Sequence, residues 1–349
     1  MALKPPVEVP QGAIRLNTDS QKLEFYAQTQ WWEMATDTPV LDGGARGFWA
    51  GAGLYNPSGS SWSESNVINM MTIPTAGNAT DFGDLTQSVR EVPASSASRT
   101  RAIRSGGNIG PAHTDTIDYF TMAQQGNATD FGNLTAAFLG FGASPTGSET
   151  RGIFNFEYYD SRSNNDTIEY VTIASTGNSA DFGNLSTARH TQQGSSSPTR
   201  TFFWGGMNPS RLTVIDYITT ATLGNAQDFG DLMIAQSRAG VTGNSTRGIF
   251  GGGEQNSPVG TTTQAQKLEY ASTGNTVEFG SVQGKNVEYA SACSSPIRAV
   301  WGGGSGWAPS PNNVITYRSI ATSGSGVDFG DLTNAGQSRA AMSNAHGGL

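Results

Sequence analysis

The stretch Asn178-Ser179-Ala180-Asp181-Phe182-Gly183-Asn184-Leu185 is written six times along this chain, with its phenylalanine at Phe82, Phe131, Phe182, Phe229, Phe279 and Phe329. The intervals between them are 49, 51, 47, 50 and 50 residues. The fifth copy is the loosest and reads Glu278-Phe279-Gly280-Ser281. A fixed period of about 50 residues restricts a chain to architectures built from one repeated supersecondary unit. Each unit is too small to bury its own apolar face and must cover that of its neighbour.

Asp-Phe-Gly also occurs in protein kinases, where a single copy works with a catalytic-loop His-Arg-Asp and a strand Lys. Six copies in a chain with only 3 His exclude that reading. Composition points to short strands and tight turns: 45 Gly, a charged fraction of 14%, and no long run of period 3.6. The net charge of -8 disfavours a surface for nucleic-acid phosphates. A single cysteine, Cys293, rules out an internal disulfide and suits a small core filler. The first residues, Met1 to Gln11, are polar and Pro-rich, with no pattern of a secretory leader. No apolar run reaches the roughly 18 residues that a membrane helix needs.

Three segments follow. Residues 1–11, with Pro5, Pro6 and Pro10, read as an extended arm. Residues 12–38 read as a small β-meander. Gly12 to Asn17 and Lys22 to Tyr26 are strands around Thr18-Asp19-Ser20-Gln21, and Trp31 to Met34 adds a third. Such a meander is too small to be stable alone, so Phe25, Trp31 and Trp32 are expected to dock it on another surface.

Residues 39–349 hold the repeats, each with four expected strands. In the fifth repeat these are Arg238 to Thr242 (strand a), Thr246 to Phe250 before three glycines (strand b), Lys267 to Ala271 (strand c) and Val277 to Gly280 (strand d). Strand b starts at an arginine each time: Arg46, Arg101, Arg151, Arg200, Arg247 and Arg298. Turns such as Thr176-Gly177-Asn178 join c to d. Four strands in about 50 residues is the pattern of a propeller blade. The first repeat has no strand a, whereas Gln337 to Ser343 matches strand a and no strand b follows it. The expected fold is all-β: a six-bladed propeller in which Arg339 to Ser343 joins the sheet of Phe48, preceded by the meander.

The order Arg189, then Phe202-Phe203-Trp204-Gly205-Gly206, then Ile215-Asp216-Tyr217, then Phe229 resembles a kelch repeat. Kelch has Trp where this chain has Phe in Asp-Phe-Gly, and the glycine pair is lost at Asn155-Phe156. This resemblance implies a propeller and no single function. The N-terminal stretch Gly12 to Ser20, Lys22 to Tyr26 and Trp31-Trp32 resembles a short module of bacteriophage tail-fibre and virion proteins. The Gly-Asn-Ala-Thr-Asp-Phe-Gly-Asp-Leu-Thr repeats are similar to those of structural proteins of marine phages, cyanophages among them. The resemblance implies a non-enzymatic virion protein, tail- or fibre-associated, made in the host cytoplasm. Its partners would be other virion proteins and a host-surface glycan or protein, with the propeller making the contacts. A capsid decoration protein and a cellular kelch-type adaptor are the alternatives. A propeller glycosidase or copper oxidase fits less well. The sialidase box Ser-x-Asp-x-Gly-x-Thr-Trp does not occur, and His113, His190 and His346 share no metal spacing.

No cofactor or metal is expected. The acidic pairs Asp81/Asp84, Asp228/Asp231 and Asp328/Asp331 suit turn capping better than calcium, which needs six to eight converging oxygens. The six strand-b arginines fit either an anion-binding ring or a repeated structural bond, and their equivalence favours the bond. Binding is expected where loops break the repeat. Tyr55 and Trp62 in the first b–c loop and Trp307 in the last are exposed-aromatic candidates for sugars or proteins, and they would share one rim.

Overall fold

Antiparallel β-strands make up the regular structure of the described residues, and no helix occurs among them. The computed structural model describes residues 9–17, 22–33, 45–56, 58, 61–140, 144–156, 164–256, 259–282, 288–305 and 311–349. They fall into two compact units, Met1–Gly43 and Gly44–Leu349. Most of the expected arm and the expected boundary after residue 38 lie outside the described residues.

The first unit is a meander of strands Ile14–Asn17, Lys22–Ala27 and Gln30–Glu33. Gln28 and Thr29 form its second turn, with φ of 51° and 67°. Two successive left-handed residues give the primed turn whose twist matches the flanking strands. Alternation divides the side chains between two faces. Ile14, Phe25 and Trp32 lie in register on one face, beside the Leu16–Leu23 pair. Arg15, Glu24, Tyr26 and Trp31 lie on the other.

In the second unit each repeat phenylalanine sits on a strand at the edge of an antiparallel sheet. The fourth repeat shows the pattern, in the order Gln193–Ser196, Arg200–Trp204, Val214–Thr219 and Gln227–Asp231. The sheet of the first repeat takes its strand a from the far end of the sequence. Ala340–Ser343 pairs with Arg46–Asn56, with Met342 opposite Phe48. The third repeat differs, because its sheet has three strands, Arg151–Asn155, Asn165–Thr172 and Ala180–Arg189. Pro145 stands where strand a would run, and proline has no N–H for the ladder. Only isolated bridges form there, Ser95 with Pro145 and Gly147 with Gly152.

The a-strands are largely buried and mostly built from small residues, as in Ala94–Ala97, Ser291–Ser294 and Ala340–Ser343. Neighbouring a-strands touch and bond through short hydroxyls. Ser95 Oγ donates to Ala341 O at 2.7 Å, Ser343 Oγ to Ser294 O at 2.6 Å, and Thr242 Oγ1 to Ser294 Oγ at 2.9 Å. Larger apolar side chains pack between sheets. Phe48 and Phe82 of the first repeat meet Phe120 of the second, and Phe202 of the fourth stacks on Tyr270 of the fifth at 4.3 Å. Past the last strand, Asn344 to Gly348 are buried as well.

The recurring Asp-Phe-Gly is explained by what the next repeat does to it. Each Phe carbonyl accepts an N–H from the glycine of the following c–d turn. The pairs are Phe82–Gly126, Phe131–Gly177, Phe182–Gly224, Phe229–Gly274, Phe279–Gly324 and Phe329–Gly77. That turn lies so close that a Cβ on the signature glycine would come under 3.0 Å from its carbonyl, for instance Gly132 against Gly177. The residue after the glycine then donates its N–H to an Asn Oδ1 of the same turn, Asp84 to Asn127 and Asp331 to Asn78 among them. At the loosest copy Ser281 bonds the Gly324 carbonyl instead, because Ser325 replaces the asparagine.

Candidate functional site

The six strand-b arginines make one bond pattern. Each Nη1 donates to backbone carbonyls at the end of the next repeat's strand c. Arg46 reaches Met122 and Ala123, Arg101 reaches Ile173 and Ala174, and Arg151 reaches Thr220. Arg200 reaches Tyr270, Arg247 reaches Ile320 and Ala321, and Arg298 reaches Ile73 and Pro74. Four of these guanidinium groups also lie 4.8–5.1 Å over the centre of a strand-c tyrosine, as Arg298 does over Tyr317. All six therefore hold one repeat to the next. Phe82, Phe131, Phe182, Phe229, Phe279 and Phe329 are buried in the same junctions.

Tyr55 and Trp62 face each other near the tip of the longest hairpin, Arg46–Asn56 with Ser61–Thr72. Their rings are 5.1 Å apart and tilted by 52°, and both are half-buried. Trp62 covers Gly53, where an added Cβ would meet its ring at 3.3 Å. The hairpin is fixed on two sides. Gly53 bridges to Gln337, while Glu64 pairs with Arg90 at 3.2 Å and accepts the Gly110 N–H. Trp307 lies outside the described residues. Of the expected docking trio, Phe25 and Trp32 share the exposed face of the meander, whereas Trp31 lies on the opposite face under Arg15, 4.1 Å from its ring centre.

Sequence reasoning missed a buried charge cluster at the junction of the fourth, fifth and sixth repeats. Glu254 Oε2 takes hydrogen bonds from Arg211 and, at 2.8 Å, from Arg238. Burial works against its charge. The Glu288 carboxyl and the two guanidinium groups outweigh that and hold Glu254 down to about 2. Glu288 is pushed up to about 8 by burial, then by its hydrogen bond to Glu254 and the charge there. The signal available was a break in the repeat: Glu254 follows Gly252-Gly253 where the equivalent position holds Met207 or Ser305.

His346 is also buried, with Nε2 2.9 Å from the Ala97 carbonyl, and burial pushes its pKa down to about 4. Asp81 caps its own turn, its Oδ1 accepting the Gly83 N–H. Among the described residues no three His, Cys, Asp or Glu side chains gather in a way that fits a metal ion. Two open clefts of about 240 and 180 Å³ lie at equivalent c–d turns of the first and third repeats, lined by Thr72 and Asn78 and by Thr172 and Asn178. No protein-family model matches the chain, and no curated protein matches it.

Proposed function

We propose that the second unit is a closed, kelch-like six-bladed propeller and that the chain is a non-enzymatic structural protein of a phage virion. In this reading it sits on the tail or a fibre and uses the propeller for protein contacts or host attachment. The observation that carries the ring is the cyclic order of its junctions. The glycine-to-phenylalanine bonds run from each repeat to the next, and the sixth returns to the first through Phe329 and Gly77. The arginine bonds follow the same circuit and return through Arg298 and Ile73. A ring of this kind has no terminal blade with an open apolar face.

A structural role is supported by how the recurring polar residues are used. The strand-b arginines and the turn asparagines bond across junctions between repeats, and three strand-c acids do so as well: Asp118 binds Thr86, Glu169 binds Thr135 and Asp216 binds Ser186. What remains free to differ is the set of b–c hairpins, with Tyr55 and Trp62 on the longest. The virion assignment rests on the resemblance of the N-terminal module.

Immunogold electron microscopy tests it, using antibodies to the chain on particles of a phage that encodes it. Label at the tail or fibre ends is the expected result. Label over the head makes the protein a capsid decoration. Particles without label sink the virion reading and favour an adaptor inside the cell.

A further inference from the structure

The meander presents two unlike faces. On one face the described polar side chains pair among themselves. Glu24 is buried and accepts hydrogen bonds from Arg15 Nε and Asn17 Nδ2, each at 2.8 Å. Arg15 covers Trp31, and Trp31 meets Tyr26 edge-on at 5.3 Å. The other face consists of Ile14, Leu16, Leu23, Phe25 and Trp32, which are 38–63% exposed. The indole N–H of Trp32 already donates to the Ala27 carbonyl. Among the described residues this face therefore carries no charged side chain, and its polar side chain is Gln30, at the turn end opposite Ala27.

We propose that this face pairs with the same face of a second copy of the chain, so that two three-stranded sheets form a small sandwich. The area fits. Large apolar side chains offer about 150–250 Å² each, so five at these exposures leave roughly 500 Å² uncovered. Two copies would bury roughly 1,000 Å², at the lower limit for a specific interface. Chemistry favours self-pairing over an unlike partner. Selectivity between partners comes from charges and from hydrogen bonds that must be satisfied, and this face offers no charge and a single amide at its edge, Gln30, which a two-fold axis can pair with its own copy. A flat apolar face is complementary to itself about a two-fold axis. Pairing also supplies the second layer without which a three-stranded sheet of this size is marginal.

Light-scattering mass of the full chain across a concentration series is the test. The expected mass rises from 36.6 kDa toward twice that value. Ile14→Asp and Phe25→Asp each abolish the rise. Phe25→Leu keeps it, as does Ile297→Asp, which alters an exposed apolar residue of the second unit. Amide hydrogen exchange on the unaltered chain gives a second readout that does not depend on any variant folding. Protection of Lys22–Ala27 is expected to grow in step with the dimer. A mass of 36.6 kDa at every concentration, a multiple above two, a dimer that survives both aspartates, or exchange in Lys22–Ala27 that ignores the doubling of mass would each overturn the proposal.

Discussion

Arg298→Ala is the sharpest test of the ring, because the carbonyls it holds are 225 and 224 residues away in sequence. Its Nη1 donates to Ile73 O and Pro74 O, both at 2.8 Å, and its guanidinium lies 4.8 Å from the centre of Tyr317. Hydrogen bonds to a charged donor contribute about 1.5–3 kcal/mol when buried. Here one of the two is part-buried and the other exposed, which reduces their sum to about 2 kcal/mol. The cation–π contact adds about 0.5 kcal/mol. The expected loss is therefore about 2–3 kcal/mol, or about 3–5 °C in Tm for a unit of about 300 residues. Arg101→Ala is the matched control. Its two bonds are 3.0 and 2.9 Å, its tyrosine is at 4.9 Å, and its acceptors lie in the next repeat along the sequence. Urea unfolding of both variants measures the pair. Equal losses are what a closed ring requires. If Arg298→Ala stays within about 0.5 kcal/mol of the parent while Arg101→Ala shows the full loss, the junction between the sixth and first repeats does not form in solution and the ring is refuted.

Three further outcomes are expected. Gly132→Ala should cost about 1–3 kcal/mol more by urea denaturation than Gly177→Ala, since both have a positive φ (151° and 158°) but only a Cβ on Gly132 would press on backbone, that of Gly177. His346 has a folded pKa below its unfolded value, so its contribution is complete above pH 6.5 and is lost as pH falls toward 4. Scanning calorimetry should show about 3 kcal/mol of acid destabilisation that His346→Gln removes. Glu288 is shifted the other way, so the folded chain keeps a proton that the unfolded chain releases, and stability falls as pH rises from about 4.5 to 8. Glu288→Gln should flatten that part of the Tm–pH curve and be the more stable protein at pH 8.

Much of the strand order was legible because a repeat averages local noise. Six copies of an Arg-led strand and six of Asp-Phe-Gly fix where b and d fall, and the unmatched strand a around Arg339 to Ser343 does pair with the strand of Phe48. What escaped the sequence were features without a residue signature. Glu91, Thr191, Arg238, Tyr289 and Ser338 all have φ between 52° and 58° at the entry to strand a, a left-handed conformation that usually announces itself as glycine. Neighbouring repeats over-determine it: the Arg238, Tyr289 and Ser338 N–H groups donate to the carbonyls of Thr191, Arg238 and Tyr289. The separation of Trp31 from Trp32 follows from the period of two, which adjacent tryptophans disguise. The Glu254–Glu288 pair joins positions 34 residues apart, and nothing in the spacing of two acids reveals that they meet. The tail from Asn344 to Gly348 reads as a polar, glycine-rich loop, yet Gly347 and Gly348 are so enclosed that a Cβ on either would collide with backbone of Ser196, Asn244 or Gly147.

The small, hydroxyl-bearing a-strands have a consequence for how such a protein can change by gene duplication. Near-identical repeats invite unequal copying, and a chain with one more unit would still satisfy every junction bond. In the proposed ring, however, an added unit would widen the circle on which the a-strands lie. Alanine, serine and glycine cannot reach across a wider axis, so contacts such as Ser95 to Ala341 and Ser343 to Ser294 would open to water. In that ring the copy number would thus be held by the mostly small a-strand side chains, while the large and recurrent ones would be indifferent to it.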